Sequence, residues 1–99
     1  MKKAEFTSGD YAYILLEDGT AEITDYDGQA DVLEIPAQLD GYTVTSISNE
    51  MCYDRSGVCS VTIPDSVIFI GDFAFSFCNS LRTVTIPTSV SSIGERAFS

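Results

Sequence analysis

A short motif recurs in the second half of this chain at a constant spacing of 23 residues. The sequence VTIP of residues 61–64 returns at residues 84–87, and Gly71 returns as Gly94. The apolar positions between these motifs keep the same spacing. Because a unit of this length cannot bury its apolar side chains alone, neighbouring units must stack on one another. The spacing therefore predicts a stacked array.

A weaker copy of the unit precedes these two. Residues 33–36 match its beginning and residues 44–47 match its middle, with five extra residues between the two matches. The extra residues fit a turn around Asp40 and Gly41, since both residue types favour turns. The chain thus holds about two and a half units within residues 31–99.

The pattern of these units can be written IPxSVxxIGxxAFxxCxxLxxVxIP. The residues that carry it are Ile63-Pro64-Asp65-Ser66-Val67, Ile70-Gly71, Ala74-Phe75, Cys78, Leu81, Val84 and Ile86-Pro87. This pattern resembles the repeat of the BspA-like leucine-rich repeat proteins. The resemblance implies a right-handed solenoid with one short strand per turn. It also implies a non-enzymatic binding role, often in secreted or surface proteins of host-associated microbes.

The residues themselves agree with stacking. The alternation within the motif places Val84 and Ile86 inward and Thr85 outward. In a stacked array the two inward side chains would lie beside Val61 and Ile63 of the preceding unit.

The part of the unit that follows this strand predicts a sharp change of chain direction. Gly71 and Gly94 indicate either a backbone with positive φ or a close approach of two chain segments. We expect residues 71–77 to form a short helical turn. The predicted fold is mainly β with short helical turns: a right-handed leucine-rich repeat solenoid of about two and a half repeats with an N-terminal β-hairpin cap.

The first part of the chain has a different pattern. Alternating residues from Tyr11 to Leu16 and a second run from Ala21 to Thr24 flank Asp18-Gly19, a pair that favours hairpin turns. A stacked array needs its end covered, because an open end exposes core and strand edges. We therefore divide this single domain into a flexible N-terminus (1–8), a β-hairpin cap (9–30) and repeats (31–99).

The composition excludes several classes of function. The chain has no histidine, so neither a Ser-His-Asp nor a Cys-His arrangement is available, and we expect no enzyme and no cofactor. With 15 acidic residues against 5 basic ones, the net charge is −10. This charge disfavours direct binding to nucleic acid or to anionic membranes and favours a basic protein partner. We also expect no membrane insertion, because the apolar stretch Tyr11–Leu16 is too short for a membrane span.

Two features that suggest metal or redox chemistry have simpler interpretations. The stretch 25–31 resembles part of a calcium loop but lacks the closing glutamate, so we expect a solvated turn and no metal site. The cysteines Cys52, Cys59 and Cys78 are predicted to be mostly buried thiols. A disulfide between Cys52 and Cys59 remains an alternative in an oxidising compartment, and the sequence leaves the redox state open.

The two termini carry expectations about location and assembly. The longest apolar stretch near the N-terminus, Tyr11–Leu16, is too short for a signal peptide. As written the chain is therefore expected to be cytoplasmic, or secreted or at the cell surface if it is a fragment of an exported protein. At the other end, Val90, Ile93 and Phe98 would have a partly open outer side. This predicts either a longer array or an end-to-end contact that makes a homodimer.

Three groups of residues are candidates for binding. Phe69, Phe73 and Phe77 correspond to polar residues in neighbouring repeats, which predicts either an outward apolar patch or packing over the adjacent turn. The outward strand positions include the hydroxyl residues Thr62, Thr83 and Thr85. The acidic candidates lie near the cap and are Asp18, Glu22, Asp25, Asp27 and Asp31.

We interpret the chain as a non-catalytic protein–protein interaction module of leucine-rich repeat type, with surface adhesion or host binding as its setting. The alternative is a small acidic intracellular inhibitor that mimics nucleic acid and binds a basic nucleic-acid-processing or phage-defence protein.

Overall fold

The computed structural model describes residues 5–28, 31–51, 57–76, 78 and 80–97. Within these residues the chain is mainly β and contains no helix. The strands are β1 (Phe6–Ser8), β2 (Tyr11–Leu15), β3 (Ala21–Tyr26), β4 (Val32–Glu34), β5 (Gln38–Leu39), β6 (Tyr42–Ile47), β7 (Ser60–Thr62), β8 (Phe69–Ile70), β9 (Thr83–Thr85) and β10 (Ser92–Ile93).

The repeated motif forms a parallel three-stranded sheet in the order β4-β7-β9. Its register joins Leu33 to Val61 and Val61 to Val84, so each motif lies beside its own copy. Parallel pairing of sequence-equivalent strands is what stacking of the units predicts. The motif alignment therefore gave the register correctly.

Each unit also contributes to a second, larger sheet. This seven-stranded sheet has the order β1-β2-β3-β6-β8-β10, with β5 paired to β6. Its parallel part aligns Ile23, Ile47, Ile70 and Ile93 in one row. The resemblance had implied one short strand per turn, and this is wrong for the described repeats. One unit carries both β7 and β8, and the next carries β9 and β10.

The core lies between the inward faces of the two sheets. Ile23, Ile47 and Ile70 are completely buried. Apolar side chains of the last turn are less buried, because no described strand lies beyond that turn. Ile63 is 3 % exposed and its copy Ile86 is 40 % exposed. Val84 and Val90 are likewise only half-buried, although Val61 and Val67 are fully buried.

The residues after Gly71 do not form the expected helical turn. Residues 72–76 form turns, and Phe73 has a φ of 57°. Its equivalents Glu50 and Arg96 have φ values of 58° and 53°. A left-handed residue at this point interrupts any helical run, because side-chain-bearing residues rarely adopt it in a regular element.

The two explanations offered for Gly71 are now separated. Its φ is not positive, but a Cβ placed on it would lie 2.5 Å from Asn49 Oδ1 and 2.6 Å from Asn49 N. Glycine is therefore required by close approach. The same corner is joined by side chains, since Asn49 Oδ1 accepts the Asp72 N–H and Asp72 Oδ1 accepts the Glu95 N–H, both at 2.8 Å.

The N-terminal cap continues the larger sheet. The predicted hairpin is present as β2 and β3, and its β3 strand pairs in parallel with β6, so the cap forms the first rung of the stack. The cap also contains β1, which pairs antiparallel with β2 and lies in the stretch assigned to the N-terminus before residue 9. None of the described residues lies in a helix long and apolar enough to span a membrane.

Replacing Gly71 by alanine is expected to lower the free energy of unfolding by about 1–3 kcal/mol, because the new methyl group would overlap the Asn49 backbone. The matched control is Gly57→Ala, since a Cβ at Gly57 meets no atom within 4 Å. Urea unfolding of both variants measures the difference. Equal stability of the two variants would contradict the close approach.

Candidate functional site

The outward side of the seven-stranded sheet carries residues from both the cap and the repeats. Strand register places five side chains in one row across five strands, because directly paired residues point to the same face. The row is Ile14, Glu22, Ser46, Phe69 and Ser92. A hydrogen bond from Ser46 Oγ to Glu22 Oε2 of 2.7 Å agrees with this placement. We call this side of the sheet the outer face.

One end of the outer face is acidic. A second row, formed by Thr7, Ala12 and Asp25, lies on the same side of the cap strands. Here a cleft of about 390 Å³ is lined by Glu5, Asp10, Asp25 and Asp27, together with Thr7, Gly9, Tyr11 and Ala12. Four carboxylates around one cleft attract a positively charged group.

The repeat part of the outer face carries one exposed aromatic side chain between two serines. Phe69 lies between Ser46 and Ser92 and is 38 % exposed. Ile68, which comes immediately before it, is 51 % exposed. Phe73 is half-buried in the following turn, and Phe77 lies outside the described residues. Of the three predicted phenylalanines, Phe69 is thus the one that the structure places on the outer face.

Ile68 was not among the predicted binding residues. Its equivalents in the neighbouring repeats are Thr45 and Ser91, which are polar. The signal that points to Phe69, polar residues at the equivalent positions of the neighbouring repeats, therefore points to Ile68 as well.

The hydroxyl residues form a separate surface on the three-stranded sheet. Thr62 pairs with Thr85, and Thr83 pairs with Ser60 in the adjacent row. Thr62, Thr83 and Thr85 are all exposed. The structure thus brings these three candidates together. Glu34 is the charged residue among the strand positions of this surface, since it pairs with Thr62.

The acidic candidates divide between several places. Glu22 is half-buried in the outer-face row, and Asp25 and Asp27 line the cleft. Asp18 lies in the turn between β2 and β3. Asp31 precedes β4, where its Oδ1 accepts the Val32 N–H at 2.9 Å. Three of the five candidates therefore share one side of the cap.

The remaining candidates concern the array end and the cysteines. Val90 is half-buried against the core, Ile93 is 48 % exposed, and Phe98 lies outside the described residues. Cys78 is buried and Cys59 is half-buried, whereas Cys52 also lies outside the described residues. In the described part of the chain, no three histidine, cysteine or acidic side chains group together as metal ligands.

Comparison with known families identifies the repeat. The family model described as "BspA type Leucine rich repeat region (6 copies)" matches residues 43–99. The chain belongs to this family. The resemblance inferred from the 23-residue spacing is thereby confirmed. Curated proteins give no match.

Solved leucine-rich repeat proteins share the fold of this BspA-type chain. A leucine-rich repeat protein from Bacteroides capillosus is 35 % identical with a TM-score of 0.87, over 98 % of this chain and 75 % of that one. The T. pallidum leucine-rich repeat protein is 29 % identical with a TM-score of 0.88, over 96 % and 45 %. A leucine-rich cell surface protein from Faecalibacterium prausnitzii is 25 % identical with a TM-score of 0.55, over 100 % and 47 %. The chain thus spans less than half of the last two.

Three hydrogen bonds shift the pKa values of two groups in the cap that precedes the BspA-type repeats. The Thr20 hydroxyl and the Thr20 N–H both donate to Asp18 Oδ1, at 2.6 and 3.0 Å, and lower the pKa of Asp18. The Tyr13 hydroxyl donates to Asp40 Oδ2 at 2.7 Å. This bond, with burial of the phenol, raises the pKa of Tyr13 to about 12.

Replacing Asp40 by asparagine is expected to lower the pKa of Tyr13 from about 12 toward its usual value of 10, because the neighbouring negative charge is removed. In the wild type, the raised pKa of Tyr13 stabilises the folded state fully below pH 10, and this contribution is lost as pH rises through about 12. The ultraviolet absorbance of tyrosinate measures the titration. Asp18→Asn is the control and should leave the pKa of Tyr13 unchanged. If Asp40→Asn also leaves the pKa of Tyr13 unchanged, Asp40 is not the cause of the raised pKa.

Proposed function

We propose that this chain is a non-catalytic protein-interaction module of leucine-rich repeat type and that the outer face is its binding surface. Membership of the BspA-type family supports an interaction role. The observation that carries the choice of surface is the exposed ring of Phe69, which lies in the same strand row as Glu22. An exposed aromatic side chain on a β surface is the kind of residue that contributes most to binding.

The chemistry of the outer face defines the partner that it would bind. The acidic cleft at the cap end attracts lysine and arginine side chains and would steer a basic partner toward the face. Phe69, in the repeat part of the face, and the adjacent exposed Ile68 would contact an apolar group. The expected partner is therefore a protein segment with basic residues at one end and an apolar anchor at the other.

We also propose that the two parallel ladders are parts of a right-handed solenoid, as the resemblance implies. The in-register pairing of equivalent strands in both sheets supports this arrangement. Surface adhesion or host binding is the proposed setting, and it is supported by the similarity to a leucine-rich cell surface protein.

The second candidate function is that of an acidic intracellular inhibitor of a basic nucleic-acid-processing or phage-defence protein. The observation in its favour is the cleft with four carboxylates in the cap. This function would depend on charge more than on Phe69. The two candidates therefore differ in how binding responds to salt.

Replacing Phe69 by serine is expected to weaken partner binding at least about tenfold, because the apolar anchor is lost. Serine is the residue at both neighbouring positions of the row, so the sheet should tolerate it. The matched control is Val32→Ser, which removes a 55 % exposed apolar side chain from the other sheet, where its neighbour is Ser60.

The measurement begins with affinity capture by the wild-type chain, followed by titration of the purified partner with each variant. Loss of affinity in Phe69→Ser but not in Val32→Ser supports the outer face. Unchanged affinity in Phe69→Ser contradicts it. An affinity that is unchanged by Phe69→Ser but falls steeply as the salt concentration rises would support the inhibitor function instead.

We further propose that the array end at Val90 and Ile93 is a contact surface through which two chains form a homodimer. Supporting this, Ile86 and Ile93 are 40 % and 48 % exposed although their copies one repeat earlier are buried. Ile93→Thr is expected to shift the chain toward the monomer. Light scattering across a concentration series measures this, and a wild type that stays monomeric at every concentration would contradict the contact.

A further inference from the structure

Three aromatic rings meet at the side of the cap opposite the outer face. Phe6 and Ser8 of β1 pair with Tyr13 and Tyr11 of β2, whose side chains point away from the outer face. The ring centroid of Phe6 lies 5.6 Å from that of Tyr13, and the ring centroid of Tyr42 lies 6.3 Å from that of Tyr13. The rings are tilted by 31° and 46°, so they do not stack flat.

The exposure of these rings is uneven. Tyr13 is 2 % exposed, whereas Phe6 is 43 % and Tyr42 is 39 % exposed. Two rings that each contact the buried Tyr13 ring therefore remain open to solvent. Exposed aromatic faces around one buried ring are typical of surfaces that contact another molecule.

A carboxylate is held at the same place. Asp40 Oδ1 accepts a hydrogen bond from Ser8 Oγ at 3.1 Å, and Asp40 Oδ2 accepts one from the Tyr13 hydroxyl at 2.7 Å. Asp40 lies in the two-residue turn between β5 and β6, where its φ is 54° and that of Gly41 is 87°. These positive values are those of a type I′ turn, which fixes the backbone beneath the carboxylate.

Each carboxylate oxygen can accept two hydrogen bonds, so the bonds from Ser8 and Tyr13 leave acceptor capacity on both oxygens. Asp40 is an exposed residue, so a partner can approach it from solvent. A planar guanidinium group donates two parallel hydrogen bonds to a carboxylate and stacks on aromatic faces. A lysine ammonium offers neither the paired geometry nor a flat surface.

We propose that Phe6, Tyr42 and Asp40 form a recognition site for the guanidinium group of an arginine side chain on a partner protein. The cation would bond to Asp40 and lie against the exposed rings. The net charge of −10 favours the approach of such a group. This site is on the opposite side of the cap sheet from the outer face, so it does not depend on the function proposed above.

The test is a nuclear magnetic resonance titration of the full chain with N-acetyl-arginine amide. We expect saturable shifts of the Phe6, Tyr13 and Tyr42 ring resonances, with a dissociation constant of about millimolar for a single side chain. The neutral isostere N-acetyl-citrulline amide and the cation N-acetyl-lysine amide should each bind at least about fivefold more weakly.

Replacing Asp40 by asparagine is expected to weaken binding of the arginine probe at least about tenfold, because the charge-assisted pair is lost. Asparagine is suited to this position because it tolerates positive φ. The matched control is Asp18→Asn, which removes one negative charge from the other hairpin turn and should leave the affinity unchanged.

A second variant tests the rings without touching the turn. Phe6→Leu keeps an apolar side chain but removes the aromatic face, and is expected to weaken binding about threefold. The proposal is overturned if the arginine probe gives no saturable shift of these rings. It is also overturned if the lysine or citrulline probe binds equally well, or if both Asp40→Asn and Phe6→Leu keep wild-type affinity.

Discussion

The stacking of each repeat directly on its own copy is the constraint on which the rest of this structure depends. Equivalent strands pair in parallel in both sheets, at the roughly 4.8 Å separation of hydrogen-bonded strands. At Gly71 and Gly94, after the second strand of each of the last two units, nothing larger than glycine fits, because a Cβ there would overlap Asn49 or Asp72 of the preceding turn. At the Gly71 corner, the Asp72 N–H donates a hydrogen bond to Asn49 Oδ1. Phe73, which follows, and its equivalents in the neighbouring units all have a positive φ.

Stacking also explains how residues distant in sequence come to share a surface. Five strands of the larger sheet each contribute one side chain to the row that contains Glu22 of the cap and Phe69 of the repeats, so these two residues lie on the same outer face. The cap supplies carboxylates and the repeats supply apolar side chains. The opposite side of the cap sheet carries Tyr13 and Asp40, whose hydrogen bond joins the hairpin to the turn before β6.

Much of the fold was predictable, and the errors have identifiable physical causes. The 23-residue spacing predicted the register of β7 with β9, and Asp18-Gly19 predicted the β2–β3 hairpin. The strand β8 was missed because two residues are too few to show an alternation of polar and apolar side chains. A helical turn was expected after Gly71, whereas Phe73 adopts a positive φ that its residue type disfavours. For the candidate site, the comparison of repeats selected Phe69. Ile68 was missed although its equivalents Thr45 and Ser91 are also polar, because it is not part of the spacing of four residues that links the three phenylalanines.

The sequence by itself determined that this chain stacks, that it belongs to the BspA-type family and that it is strongly acidic. These properties follow from the kinds of residue present and their spacing. Only the tertiary structure decided which of the equivalent repeat positions are buried beneath a neighbouring turn. Ile63 and Ile86 are the same residue at the same place in the repeat, yet one is 3 % and the other 40 % exposed. Burial depends on whether a neighbouring turn lies over a side chain, and no single repeat contains that information.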